Sequence, residues 1–202
     1  MAQVFNKRVF TIKEHIGIMK HAAKSLGLLM YVKKHKLFNK QFKERIMLAV
    51  TEVNGCELCS YVHTKISLSS GMNSSEIKEL LNGIKDDVPE EQLVAVLFAE
   101  YYATSHEKPE KEMVNRLINE YGREKAKIIC AILGMITLTN SMGISLGLFK
   151  DRLMFKRVKK SKLFNELGIP LSTMTVFPML FIYYKIKSFF KTPSCHLIPD
   201  AI

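Results

Sequence analysis

Helical periodicity and helix-end signals recur along almost the whole of this chain, and no stretch alternates apolar and polar residues cleanly enough to suggest a sheet. That pattern predicts an all-α fold. A first helix is expected over about 11–33, with a stripe containing Ile12, Ile16, Met19, Ala23 and Met30. A second covers about 40–53 and stops at Asn54-Gly55, a helix-ending dipeptide. The third starts near Cys56 and runs to about Gly71. Asn73 with Glu76 three residues on reads as a capping signal for a short fourth helix. Pro89 and Pro109, each followed by acidic residues, mark two further starts. Beyond Tyr121-Gly122, the apolar run Ile128 to Phe149 reads as a central buried helix.

The 202 residues are enough for one well-buried domain with some length left over, and 48% apolar residues exclude disorder for most of them. Charge divides the chain. Residues 1–45 carry 11 Lys/Arg against Glu14 and Glu44, residues 46–149 carry 9 against 14 acidic, and residues 150–202 carry 10 against 3. A mildly acidic centre between basic ends points to an anionic partner surface. The division expected is a helical redox domain over 1–150 and a basic, apolar C-terminal extension over 151–202. In that extension the basic run Lys150–Lys162 leads into fourteen uncharged residues from Leu171, broken by Pro178 and flanked by Lys185 and Lys187. Fourteen residues are short of the ~20 that span a bilayer. The favoured reading is a helix packed on the core or on a neighbouring subunit; the second is an interfacial membrane segment.

Chemistry concentrates in Cys56-Glu57-Leu58-Cys59-Ser60-Tyr61-Val62-His63. At about 100° per residue, Cys56, Cys59 and His63 fall within roughly 60° of one helix face. The cysteines are one turn apart, near enough to join, and His63 lies one turn beyond Cys59, where an imidazole can exchange a thiol proton. The opening residues lack the apolar run of a signal peptide, so a cytoplasmic, reducing compartment is expected. There a CxxC is catalytic or metal-binding rather than a structural staple. Zinc is the rival reading, but no second CxxC or paired histidines supply a fourth ligand. Glu44 adds a carboxylate. Its angular neighbours on the second helix are Met47, Leu48 and Thr51, a semi-apolar face that demands a polar partner and suits a raised pKa. Surface exposure is the alternative for Glu44. Glu52, on the side of Arg45, reads as an ordinary solvated residue.

Glu44, then eleven residues, then Cys56-x-x-Cys59-x-x-x-His63 resembles the signature of the AhpD-like alkylhydroperoxidase branch of the carboxymuconolactone decarboxylase superfamily. The resemblance extends over about 40–150, through Lys43–Val50, Asn54-Gly55-Cys56, Gly71 with Asn73–Leu81, and Asn140 within Ile136–Asn140. It implies an all-helical fold assembled into homo-oligomers and thiol–disulfide chemistry directed at peroxides. Cys59 would attack the peroxide, Cys56 would resolve, and Glu44 with His63 would form a proton relay. Helix-terminus electrostatics leave the other order open, because Cys56 lies nearer the N-terminus. Leu58 stands where some members carry an extra histidine, which puts efficiency in doubt more than reaction type.

The implied partners are a hydroperoxide and an external dithiol reductant; nucleic acid is not among them. No Gly-rich phosphate loop or nucleotide fingerprint is present, so no bound cofactor is expected. Other readings are a decarboxylase-type enzyme, which would not require the cysteine pair, and a non-enzymatic zinc-stabilised or membrane-docking module. His15, His21 and His35 sit among lysines and read as solvated, His106 falls in a loop, and Cys130 reads as a core thiol. Cys195 and His196, adjacent near the C-terminus, form too small a pair for a ligand set.

Overall fold

A computed structural model describes residues 8–156, 158, 160–188 and 197–198, which leaves Cys195 and His196 outside the described residues. Among these the chain is all-α: α1 (Ile12–Lys34), α2 (Lys40–Asn54), α3 (Glu57–Ser69), α4 (Ser74–Leu80), α5 (Glu90–Thr104), α6 (Lys111–Leu153) and α7 (Leu163–Ser188). Local chemistry sets most boundaries. Thr11 and Glu14 form a reciprocal capping box at α1, and the Asn39 side chain accepts from the Phe42 N–H at α2. Gly55 ends α2 in the left-handed region at φ 68°, where a side chain would be strained. Gly122, at φ 73° and ψ 158°, breaks α6 into two successive helices, so the apolar run after it forms a rod of its own.

Asn73 is the N-cap of the short α4, as expected, but the capping bonds are missing: the Asn73 side chain makes none, and the Glu76 carboxylate pairs with the Arg45 guanidinium, which also bonds Gln92. One expectation fails at helix level. On α1, Met19 and Ala23 are buried but Ile16 and Met30 are exposed, so the inward stripe runs through Ile18, Met19, Ala22 and Ala23 instead.

The apolar residues form two clusters. One joins α2, α5 and α6 through Ile46, Leu48, Val96, Phe98, Ile129 and Leu133. The other gathers Phe10, Met19, Ala22, Leu138, Ile144 and Ile169 around Cys56 and Cys59. Each fully buried Leu, Ile or Phe contributes about 1.5–3 kcal/mol relative to exposure. α2 is buried on nearly every side, which is why a charged residue on it can be fully enclosed. α7 packs against α1 and α6; Gly168 lets it approach Ile12, and the fully buried Glu166 accepts two bonds, at 2.8 and 2.7 Å, from Arg152.

His15, expected in solvent, is fully buried where α1, α6 and α7 meet. Its Nδ1 lies 2.8 Å from Ser141 Oγ and its Nε2 2.8 Å from Thr173 Oγ1. Each hydroxyl also reaches a backbone carbonyl, Ser141 that of Leu138 and Thr173 that of Ile169, so the neutral ring keeps both contacts when one hydroxyl turns its proton from the carbonyl to the unprotonated ring nitrogen. Lysines nearby in sequence point elsewhere on the helix, so composition misplaced this residue. Burial lowers its pKa to about 4. Between about pH 6.5 and 4 the unfolded chain therefore binds a proton here that the native state refuses, so stability is lost as pH falls through this range. His15→Gln is expected to remove up to about 3 kcal/mol of the loss between pH 7 and 4, read by urea unfolding of both proteins at each pH. An unchanged pH dependence would assign the acid loss to other groups.

Candidate active site

The local sequence explains where the cysteines lie. Gly55 turns the chain out of α2, and Cys56 becomes the N-cap of α3, with its sulfur 3.3 Å from the Cys59 N–H. Cys56 thus sits just outside the regular helix, although the spacing predicted it on the helical face. Cys56 and Cys59 are joined in a disulfide, with 5.3 Å between their Cα atoms. Both are enclosed, at 1% and 6% exposure. Their surroundings differ electrically. The Cys56 sulfur receives a backbone N–H at a helix N-terminus, which favours its thiolate. The Cys59 sulfur lies 3.6 Å from the Thr139 carbonyl oxygen, which accepts an S–H in the dithiol state and repels a thiolate.

His63 follows one turn after Cys59, and its Nδ1 lies 2.7 Å from Glu44 Oε2. That contact joins α3 to α2 and holds the ring through one nitrogen, leaving Nε2 for proton exchange. Glu44 is fully buried, and the Lys43 ammonium stands 3.0 Å from its other oxygen. Burial pushes the Glu44 carboxyl up, but the His63 hydrogen bond and the Lys43 charge outweigh it and hold the pKa below the ordinary value. The raised pKa expected from the sequence is therefore corrected: the neighbourhood is enclosed but not apolar. With a depressed pKa, the stabilisation from ionised Glu44 is complete above the ordinary carboxyl range and is lost as pH falls through the lowered value. Glu44 thus acts near neutrality as a fixed anion that orients His63. Glu52 is half-buried rather than solvated; burial, with Glu100 nearby, raises its pKa.

Three contributors were not legible in the motif. Lys43 adjoins Glu44 but carries no mark that its amine folds back. Thr139 and Gly143 belong to α6, eighty or more positions from the cysteines. A Cβ at Gly143 would lie 2.8 Å from the Cys56 sulfur and 3.1 Å from that of Cys59, so the helix can cover the disulfide only if this residue has no side chain. Gly143→Ala is expected to cost about 1–3 kcal/mol, the range for overpacking a filled interior, in denaturant unfolding. Gly147→Ala, whose Cβ would meet nothing within 4 Å, is the control and should be neutral or slightly stabilising. Equal behaviour of the two variants would show that α6 yields freely at the sulfurs. Asn140, noted in the sequence, is buried and meets Thr51 of α2 through a 3.2 Å bond.

Among the described residues, no three His, Cys, Asp or Glu side chains converge as a metal-binding group. What the arrangement can do is cycle two sulfurs between dithiol and disulfide beside a carboxylate-oriented imidazole. Residues 20–99 match the model of the carboxymuconolactone decarboxylase family, a stretch that contains Glu44, Cys56, Cys59 and His63. The match starts within α1, upstream of the resemblance read from the motif, and stops within α5. No curated protein and no solved structure matches the chain.

Proposed function

We propose that this carboxymuconolactone decarboxylase-like domain is a thiol-dependent peroxidase that reduces hydroperoxides through Cys56 and Cys59. The observation that carries the reading is the Glu44–His63 contact, which supplies an oriented imidazole one turn from a cysteine already paired with its neighbour. In the reduced state Cys59 gives its proton towards His63 and attacks the O–O bond. The Cys59 sulfur takes up the terminal hydroxyl as a sulfenic acid, and the departing alkoxide takes a proton from the imidazolium to leave as an alcohol. The Cys56 thiolate then attacks the sulfenic sulfur, forming the disulfide and releasing hydroxide, which is protonated to water. An external dithiol returns two electrons by exchange. Attack of that dithiol on Cys59 expels Cys56 as a thiolate, and the Cys59 N–H bond on the Cys56 sulfur favours this leaving group. The electrical asymmetry of the two sulfurs thus supports Cys56 as the leaving thiolate in re-reduction, while it is the His63 imidazole, one turn away, that supports Cys59 as the attacking cysteine.

Leu58, Tyr61 and Val62 are exposed on the first turns of α3, next to the cysteines in sequence, an apolar patch that supports docking of a further copy of the chain. A decarboxylase-type reaction has no use for the disulfide. The test is a thiol titration of reduced protein after an organic hydroperoxide is added. Loss of two thiols per chain, reversed by a dithiol, is the expected result; thiols that persist while the peroxide also persists would overturn the reading.

A further inference from the structure

We propose that the outer face of α7 docks on the surface of an anionic lipid bilayer, with the helix lying in the interface rather than crossing it. No charged residue occurs from Leu167 to Tyr184. Only the side of α7 carrying Glu166, Ile169, Thr173 and the partly buried Phe177 and Leu180 faces the bundle. The remaining circumference carries Leu171, Met174, Met179, Ile182 and Ile186, all exposed, Met174 at 76%. A helix on the water side of a soluble domain ordinarily places charged residues there; α7 places none from Leu167 to Tyr184, and its exposed Thr175 hydroxyl is spent on the Leu171 carbonyl of its own helix. Both α6 and α7 are long and apolar enough to cross a membrane, but α6 is largely enclosed by the bundle, whereas 6% of the apolar window of α7 is buried.

Charge identifies the occupant. Between 150 and 188, nine Lys/Arg stand against two acidic residues, and both acids are internally engaged, Asp151 with Lys156 and Glu166 with Arg152. Exposed Lys160 and Lys162 precede the apolar face, and exposed Lys185 and Lys187 follow it. Cations at both ends of an apolar strip match a surface of anionic headgroups over acyl chains. Two further features near α7 join apolar and basic side chains. A groove between α1 and α7 sets Lys24 and Lys185 beside Met30, Phe181 and Tyr184. In the turn that ends α6, Phe155 holds a left-handed φ of 57° and is 98% exposed, an aromatic side chain held out beside Lys156.

The inner face sets the orientation. Crossing the bilayer would pull Glu166 from Arg152 and Thr173 from His15, carrying the Glu166 carboxylate towards hydrocarbon. Lying flat keeps both contacts and immerses only what is already exposed.

The experiment is flotation of the full chain with vesicles of phosphatidylcholine alone or with phosphatidylserine. The chain should float with the phosphatidylserine vesicles and not with the neutral ones, and raising salt should release it. Replacing Lys160 and Lys162 with Gln should weaken binding roughly 25-fold, since each such lysine near an anionic surface is worth about fivefold. The triple variant Met174→Ser, Met179→Ser, Ile182→Ser alters only exposed side chains; it should keep its helical circular dichroism and lose flotation. Binding that ignores phosphatidylserine, or that survives the triple variant, would overturn the proposal. So would a wild-type chain that stays off both vesicles, whether monomeric or held with a second copy through a contact that the triple variant splits in sedimentation.

Discussion

Cys59→Ser is expected to abolish peroxide consumption, whereas Cys56→Ser is expected to complete one oxidation and stop with Cys59 as a sulfenic acid. The difference follows from what each sulfur touches. Cys59 is the less enclosed of the two, at 6% exposure against 1%, and it alone has His63 one turn away. Cys56 is fixed by the Cys59 N–H at the helix N-terminus, an arrangement that stabilises its thiolate for the resolving step. Without Cys56, the sulfenic acid has no partner in the motif. Mass spectrometry of Cys56→Ser protein after one equivalent of hydroperoxide should find a single added oxygen on Cys59, removable by a dithiol. Oxidation of Cys56 in the Cys59→Ser variant, with none on Cys59 in the converse variant, would reverse the order and make the helix terminus the dominant influence.

The second large effect concerns the relay. General acid–base assistance is worth ~10²–10⁴-fold, so Glu44→Gln and His63→Gln should each slow thiol oxidation by a factor in that range. In the proposed relay Glu44 would act through His63, since it is fully buried and reaches the ring at 2.7 Å. The double variant should therefore be little slower than either single one. Multiplicative losses in stopped-flow thiol oxidation would show that the two residues work independently. Glu52→Gln serves as the control and should react near the wild-type rate, because Glu52 lies near Glu100 and Lys85 rather than at the sulfurs.

Helix positions were largely readable in advance because their causes are short-range. Thr11 with Glu14, Asn39, Gly55 and Gly122 act on backbone within a few residues of themselves, and the observed ends of α1, α2 and α3 fall close to those expected. Where a local signal had a distant competitor, the distant one won. Glu76 was available to bond the Asn73 backbone N–H at the start of α4, yet a buried guanidinium on α2 offered a full opposite charge and took the carboxylate.

The candidate site divides in the same way. Cys56, Cys59 and His63 are spaced along one short segment, so local geometry alone brings them to one side of the N-terminal half of α3. Glu44 shares no such segment, and periodicity could place it only on a semi-apolar face. Its burial, its contact with His63 and the sign of its pKa shift depend on how α2 packs against α3 and on where the Lys43 amine folds.

By itself, then, the sequence determined the helical class, most helix ends and the cysteine–histidine spacing, since each depends on interactions spanning one or two turns. Tertiary packing alone decided that Glu44 meets His63, that Gly143 lies against both sulfurs, that His15 is sealed between three helices, and that α7 spends one face on the bundle and leaves the other uncovered by it. Those outcomes rest on side chains many tens of residues apart, whose meeting is set by the directions in which whole helices cross, and no local pattern records that direction.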